Sequence, residues 1–308
     1  MNHSRPIVYS APGAGLGHLV RACAVSQCLH RLGVVPRIVT HSPYSAGLAR
    51  LTGCPIDFIP RDKWVAAIPD YAAAVKPEMI VLDTFPWGLR GEWINVPRPR
   101  RGFITLARRL KIDAYLAVVQ SLCLTTGPHL ERVISIEPLA DDHLARLQAA
   151  GGELVFLPGR IRFPAEDLPT PIPKEMELLL DRGRLRLVVH SGPMDEVAAL
   201  IRLAEENIRK HGQGDLAVIH PRPLPGLPWP VFEYFPAAGL YARAYRVITG
   251  AGYNSLAEMT PWPKKHLCLP FPRRYDDQVG RINNPPSSSA NGAAQTANII
   301  MSWLYGRD

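Results

Sequence analysis

The sequence lacks any apolar run near the roughly twenty residues that a membrane-spanning helix needs, so no integral membrane segment is expected. It has no Cys-x-x-Cys. Its five cysteines, Cys23, Cys28, Cys54, Cys123 and Cys268, are scattered and odd in number, which argues against a zinc ribbon and against a disulfide frame. The opening MNHSRPIVYSAPGAG runs straight into strand-type residues with no secretion-signal core, and a reduced, cytoplasmic protein is expected. Asp-x-Asp does not occur, and the adjacent Asp141-Asp142 fits a helix cap better than a metal site. No repeat at solenoid period is present. Carboxylate spacing of the kind that binds a cation is therefore missing, and no metal is expected.

Charge of one sign is in excess. Thirty-five Lys and Arg face 27 Asp and Glu, a formal net charge of +8. Arg98, Arg100, Arg101, Arg108, Arg109 and Lys111 form the densest cluster. Such a balance suits an anionic nucleotide or a peripheral contact with an anionic membrane surface, such as the inner membrane. Nucleic acid would rest on charge alone and is not expected as a partner.

What is present is alternation. Strand-type runs at Pro6 to Ser10, Arg37 to Thr40, Ile56 to Ile59 and Met79 to Leu82 interleave with helix-period runs at Leu19 to Leu32, Tyr44 to Leu51 and Trp64 to Val75. Further strands are expected at Gly102 to Leu106, Val133 to Ile136 and Glu153 to Leu157. This pattern predicts an α/β fold with a parallel, doubly wound sheet. The proline-rich stretch from Pro158 to Pro173 reads as a linker. A second alternation follows: strand Leu185 to His190, helix Met194 to His211, strand Leu216 to His220, strand Val231 to Phe235 and a short helix from Pro236. With 308 residues, two domains are expected, 1–160 and 174–308. The run from Asn283 to Ala294 is turn-rich and reads as a loop, with a closing helix from Thr296 to Tyr305.

Two glycine turns hold the chemistry. Gly13, Gly15 and Gly17 precede His18 between the first strand and the first helix. The spacing is not the dinucleotide Gly-x-Gly-x-x-Gly, and Thr40-His41 stands where a ribose-binding acid would end the second strand. A nicotinamide enzyme is thereby disfavoured. His18 at a helix start is a candidate base, since the dipole favours neutral imidazole. Asp83, just past the fourth strand, could orient it; a helix-capping role is the plainer alternative for each. The second turn lies in VITGAGYNSLAEMTPWPKKHLCLPFPRRYDDQ. Gly250 and Gly252 permit a close backbone approach. Asn254 and Ser255 fit an N-cap, and Glu258 three residues on fits a capping box. Helix N–H groups at a strand end suit a phosphate.

These stretches resemble the GT-B glycosyltransferases, in particular the bacterial N-acetylglucosaminyltransferase of the lipid-linked cell-wall precursor and the broader UDP-glycosyltransferases. The resemblance implies two Rossmann-like, doubly wound domains facing a cleft. It implies transfer of a sugar from a nucleoside diphosphate donor, UDP by preference, to an acceptor hydroxyl, with no cofactor. Gly15, Gly17 and His18 would face the acceptor, with the Leu-Asp-Thr-Phe segment supplying Asp83. Ser191, Gly192, Gly250, Gly252, Asn254 and Ser255 would approach the donor diphosphate, and Arg162 could reach it. The backbone at Phe235 would read the base. Glu258 would take the ribose and Asp277 with Gln278 the hexose. Pro261-Trp-Pro263 and the short chain after Gln278 depart from the pattern. A non-catalytic nucleotide-sugar binding protein or subunit, or an epimerase or hydrolase of the same fold, remains the alternative.

Overall fold

The computed structural model describes residues 7–119, 130–168, 170–285 and 287–306. Pro6 and Cys123 lie outside these residues. The chain divides into two compact units. One comprises Met1–Arg162 together with Arg273–Asp308, the other Phe163–Pro272.

Among the described residues, the first unit is built on a seven-stranded parallel sheet. In chain order it contains β1 (Ile7–Ser10), α1 (Gly17–Arg31), β2 (Arg37–Thr40), α2 (Ser45–Thr52), β3 (Ile56–Phe58), α3 (Trp64–Val75) and β4 (Met79–Asp83). Then come β5 (Phe103–Ala107), α4 (Ile112–Val119), β6 (Arg132–Ser135), α5 (Asp141–Ala149) and β7 (Glu153–Phe156). The strand order is β3-β2-β1-β4-β5-β6-β7. Strands β1 and β4 are near-continuous apolar runs with every residue buried, as a sheet covered on both faces requires. Val8, Val39, Ile80 and Leu82 pack against Trp64, Ile68 and Ala72 of α3. Gly33 follows α1 with φ 85°, the left-handed glycine that commonly ends a helix.

The second unit carries α6 (Lys174–Asp181), β8 (Leu185–Val189), α7 (Met194–His211), β9 (Asp215–Ile219), β10 (Val231–Phe232), β11 (Arg246–Gly250), α8 (Tyr253–Glu258) and β12 (His266–Leu269). Its five parallel strands run β10-β9-β8-β11-β12. Strand order reverses between β1 and β4 in one sheet and between β8 and β11 in the other. Open α/β sheets bind ligands beyond the carboxyl ends of strands at such points.

Four expectations need correction. The closing stretch does not stay with the second domain. Residues 273–308, including α9 (Gln278–Asn283) and α10 (Gly292–Tyr305), belong to the first unit, where α10 packs on α1. The run from Asn283 to Ala294 is only partly loop, because α10 starts at Gly292, four residues before the expected Thr296. Asn291 caps it, accepting from Ala293 N–H at 3.1 Å. The capping box at Ser255 does not form: α8 begins at Tyr253 with Gly252 as N-cap. That start puts Tyr253 and Ala257, one turn apart, into the core, and it leaves Glu258 at the helix's last turn. Finally, Ala140 rather than Asp141 or Asp142 precedes α5, and both acids lie in its first turn. There they still favour the positive helix end.

Candidate functional site

In the first unit, β1 and β4 run side by side with Ser10 opposite Leu82, so the residues beyond each strand meet. The Gly13–Gly17 loop leads into α1, and His18 is its second residue. Its Nδ1 lies 2.9 Å from Asp83 Oδ2. The helix's N-cap is Leu16, without a side-chain cap, so capping is not the role of His18.

Arg21, one turn along α1 and 1 % exposed, completes the group. Its Nη2 donates to Asp83 Oδ2 at 2.8 Å and its Nε to Oδ1 at 3.2 Å. Burial pushes the Asp83 carboxyl up, but the Arg21 and His18 charges outweigh it and hold the pKa at about 2. The carboxylate is therefore ionised and can only accept. Nδ1 of His18 must carry the proton, and its Nε2 lone pair is left for a ligand. Among the described residues Nε2 has no hydrogen-bond partner. Burial lowers the His18 pKa, Asp83 raises it, and Arg21 and Arg108 lower it again; the net direction is downward. Neutral imidazole at pH 7 follows.

Thr84, next to Asp83, has φ 76°, a strained value for a β-branched residue. Phe85 N–H bonds back to Asp83 C=O at 2.9 Å, closing a γ-turn about Thr84. The turn sends Phe85 beneath the imidazole, ring centroids 5.8 Å apart. Tyr115 and Tyr275 pack on Phe85, so one wall of the site is aromatic.

The glycine that the geometry demands is Gly13. Its φ is 130°, and a Cβ there would sit 3.0 Å from His18 Cδ2. Its N–H donates to His41 Nε2 at 2.8 Å. Burial, then the Arg61, His18 and Arg90 charges, brings the His41 pKa down to about 4. Gly15 is exposed with open space around it, and Gly17 is the first residue of α1.

At the switch point of the second unit, β8 ends at Val189 and His190, Ser191 and Gly192 follow. Ser191 is exposed. His190 Nε2 lies 2.7 Å from Glu196 Oε2 on α7. A Cβ on Gly192 would meet that nitrogen at 2.3 Å, so Gly192 is glycine for this pair. His220, beyond β9, faces Gly192 C=O at 3.2 Å through Nε2. Gly250 ends β11, and a Cβ there would press on His190 and Phe271 at 3.2 Å. Asn254 and Ser255 are half-buried within α8. Glu258 accepts from Tyr241 Oη at 3.1 Å. Phe235 lies three residues beyond β10, its ring against Phe163 and its C=O accepting from Thr170 Oγ1 at 2.8 Å.

Three expected donor ligands lie in the first unit instead. Arg162 binds Asn291 through its main chain, donating N–H to Oδ1 and accepting from Nδ2, both at 3.0 Å. Asp277 caps α9 and accepts from Arg109 Nε at 2.7 Å. Gln278, 6 % exposed, donates to Asp276 Oδ2 at 3.3 Å. Sequence reasoning missed Arg21, Glu196, Arg281 and Glu137. Of these, Arg21 had a visible signal: it sits one turn from His18 on the same helix face.

Among the described residues no three His, Cys, Asp or Glu side chains gather as metal ligands. No helix there is long and apolar enough to cross a membrane.

No protein-family model matches the sequence, and no curated protein matches it. Solved structures do. The glycosyltransferase SnogD from Streptomyces nogalater is 13% identical with a TM-score of 0.56, covering 97% of this chain and 96% of its own. UDP-GlcNAc 2-epimerase from Neisseria meningitidis bound to UDP-GlcNAc is 10% identical with a TM-score of 0.62, covering 98% and 100%. The Streptomyces glycosyltransferase SsfS6 complexed with thymidine diphosphate is 14% identical with a TM-score of 0.52, covering 87% and 82%. With both sheets doubly wound and likenesses of this extent, the protein has the GT-B fold, the glycosyltransferase-like architecture that the glycine turns resemble.

Proposed function

We propose that the protein is a glycosyltransferase that moves a hexose from a nucleoside diphosphate donor to an acceptor hydroxyl. The observation that carries this reading is the His18–Asp83 pair, with an ionised carboxylate on Nδ1 and an uncommitted Nε2 beside the glycine loop. The acceptor hydroxyl gives its proton to His18 Nε2 as its oxygen bonds to the anomeric carbon. The bond from that carbon to the diphosphate breaks, and the leaving group keeps the electron pair. Asp83 and Arg21 hold the imidazole in position.

The donor is assigned to the second unit, with its diphosphate near Ser191, Gly192, Gly250, Gly252, Asn254 and Ser255, its base near Phe235 and its ribose at Glu258. Both UDP and thymidine diphosphate donors fit the reading, given the ligands named for the similar structures. No metal is assigned to the step, so turnover should persist in chelator. An epimerase is the second reading, favoured by the likeness at TM-score 0.62. Against it, the buried carboxylates of the first unit are committed: Asp83 to Arg21, and Asp276 and Glu137 to Arg281. Such carboxylates are poor proton acceptors from carbon.

The test offers labelled UDP- and thymidine-diphosphate sugars with an acceptor panel and reads released nucleotide. In parallel it reads deuterium uptake from heavy water into the sugar. His18→Ala should lower transfer about 10²–10⁴-fold with donor affinity little changed, and Asp83→Asn should act in the same direction. Wild-type transfer in His18→Ala, or deuterium uptake without transfer, would refute the reading.

A further inference from the structure

The carboxyl ends of β5 and β6 carry a buried set of charges that the proposed transfer step does not use. Arg281 Nε and Nη2 grip both Glu137 oxygens at 2.7 and 2.8 Å, and Nη2 also donates to Asp276 Oδ1 at 2.6 Å. Arg109 bonds Asp277, Arg160 faces Glu137 at 3.6 Å, and Arg21 bonds Asp83. Every carboxylate of the set thus has an arginine at hydrogen-bond distance.

Arg108 shares in this only through one longer contact. It stands two residues beyond Leu106, the β5 residue paired with Asp83 on β4, and it is 9 % exposed. Its nearest anion is Asp276 Oδ1 at 3.4 Å, an oxygen already held by Arg281. Its Nε is buried with no partner, and among the described residues its guanidinium makes no hydrogen bond. A guanidinium removed from water needs an anion and fixed acceptors, and its planar fork fits a carboxylate or a phosphate. The positive charge is also close enough to depress the His18 imidazole.

We propose that Arg108 anchors an oxyanion of the acceptor, a carboxylate or a phosphate, beside His18. This names the acceptor class within the transferase reading and rests on it. The anion would compensate the Arg108 charge, and a hydroxyl near it on the same molecule would reach Nε2. Phe85 and Tyr275, backed by the buried Tyr115, would flank the uncharged part.

The experiment needs no turnover, so it can fail independently of the transferase reading. The protein is labelled at histidine, and the His18 ring resonance is assigned with His18→Gln. The His18 midpoint is then followed by pH titration with sodium phosphate, with sodium acetate, and with chloride at equal ionic strength. In wild type, phosphate or acetate should raise the midpoint relative to chloride; the more effective ion identifies which oxyanion the acceptor carries. In Arg108→Gln the response should weaken about ten-fold or more, the loss expected for a charge-assisted pair. Arg108→Lys should keep part of it. Arg108→Gln should also melt no lower than wild type in chloride, because a poorly compensated buried cation is gone. An unchanged response in Arg108→Gln, or no response to either ion in wild type, would overturn the proposal. A lower melting temperature for Arg108→Gln in chloride would also overturn it, by showing that Arg108 serves the fold through Asp276.

Discussion

His18 works as a base only because two neighbours settle its proton. Asp83, held near pKa 2, fixes the tautomer, and Gly13 leaves room for the ring. Replacing Gly13 by Ala forces a Cβ against His18 Cδ2 at 3.0 Å and an L residue into φ 130°. We expect a loss of more than about 1 kcal/mol and a fall in any His18-dependent rate. Gly15→Ala meets open space and should stay within about 0.5 kcal/mol of wild type. Urea melts of the two variants side by side check the contrast; equal costs would show that the loop does not depend on the His18 contact.

A second histidine makes a pH argument. His143 is fully buried, and among the described residues neither ring nitrogen has a partner. Burial brings its pKa down to about 4 against the opposing Asp142 and Glu137 charges. Below pH 6.5 the unfolded chain takes up this proton and the folded chain does not, so the penalty grows as pH falls from 6.5 and is complete below about 4. His143→Leu removes it. At pH 5 the variant should gain up to about 2 kcal/mol relative to its difference from wild type at pH 7.5. Denaturant melts at both pH values measure this, and an identical difference at the two would place the folded-state pKa near normal.

Among the elements, α10 is tied in by its first residues. Asn291 caps it and binds the Arg162 main chain in both directions. Gly292 must be glycine, since a Cβ would lie 2.6 Å from Gly159 C=O. Asn291→Ala should cost about 1–2 kcal/mol from the cap, and more because the Arg162 N–H loses its acceptor. A chemical melt that shows less than half a kilocalorie of loss would mean that packing on α1 alone holds α10. Composition suggested a loop here because Asn, Ser and Pro dominate. The cap lies inside that run, and its partner is 129 residues away.

Across the molecule, the return of residues 273–308 to the first unit has a clear consequence. Ending the chain at Pro272 would remove Arg281, Asp276 and Asp277. Glu137, 3 % exposed, would lose its two short arginine bonds, and α1 would lose α10. Breaking such a buried pair costs about 3–5 kcal/mol. We expect the first unit of residues 1–272 to be cleaved rapidly in limited proteolysis while the second, which keeps all five strands, persists. Survival of both units would show that the closing segment is an accessory.

The strand–helix alternation and the glycine turns that lead to the GT-B resemblance were legible in the sequence, because each depends on residues within a turn or a strand of one another. The His18–Asp83 contact was legible through order alone, since strands one and four of a doubly wound sheet are neighbours. The start of α8 was not: Asn254 and Ser255 are both good local N-caps, but burial of Tyr253 and Ala257 starts the helix earlier, after Gly252. Nor were the destinations of Asp276, Asp277 and Gln278. Their sequence places them beside β12, but Asp277 pairs with Arg109, Asp276 with Arg281 and Gln278 with Asp276, all in the first unit. An ion pair such as Arg281–Glu137 joins residues 144 apart, and no local pattern encodes which carboxylate a given arginine will neutralise. That assignment is made when strand order brings the ends of β5 and β6 together, where buried charges find partners and where Arg108, 3.4 Å from Asp276, still has a donor to spare.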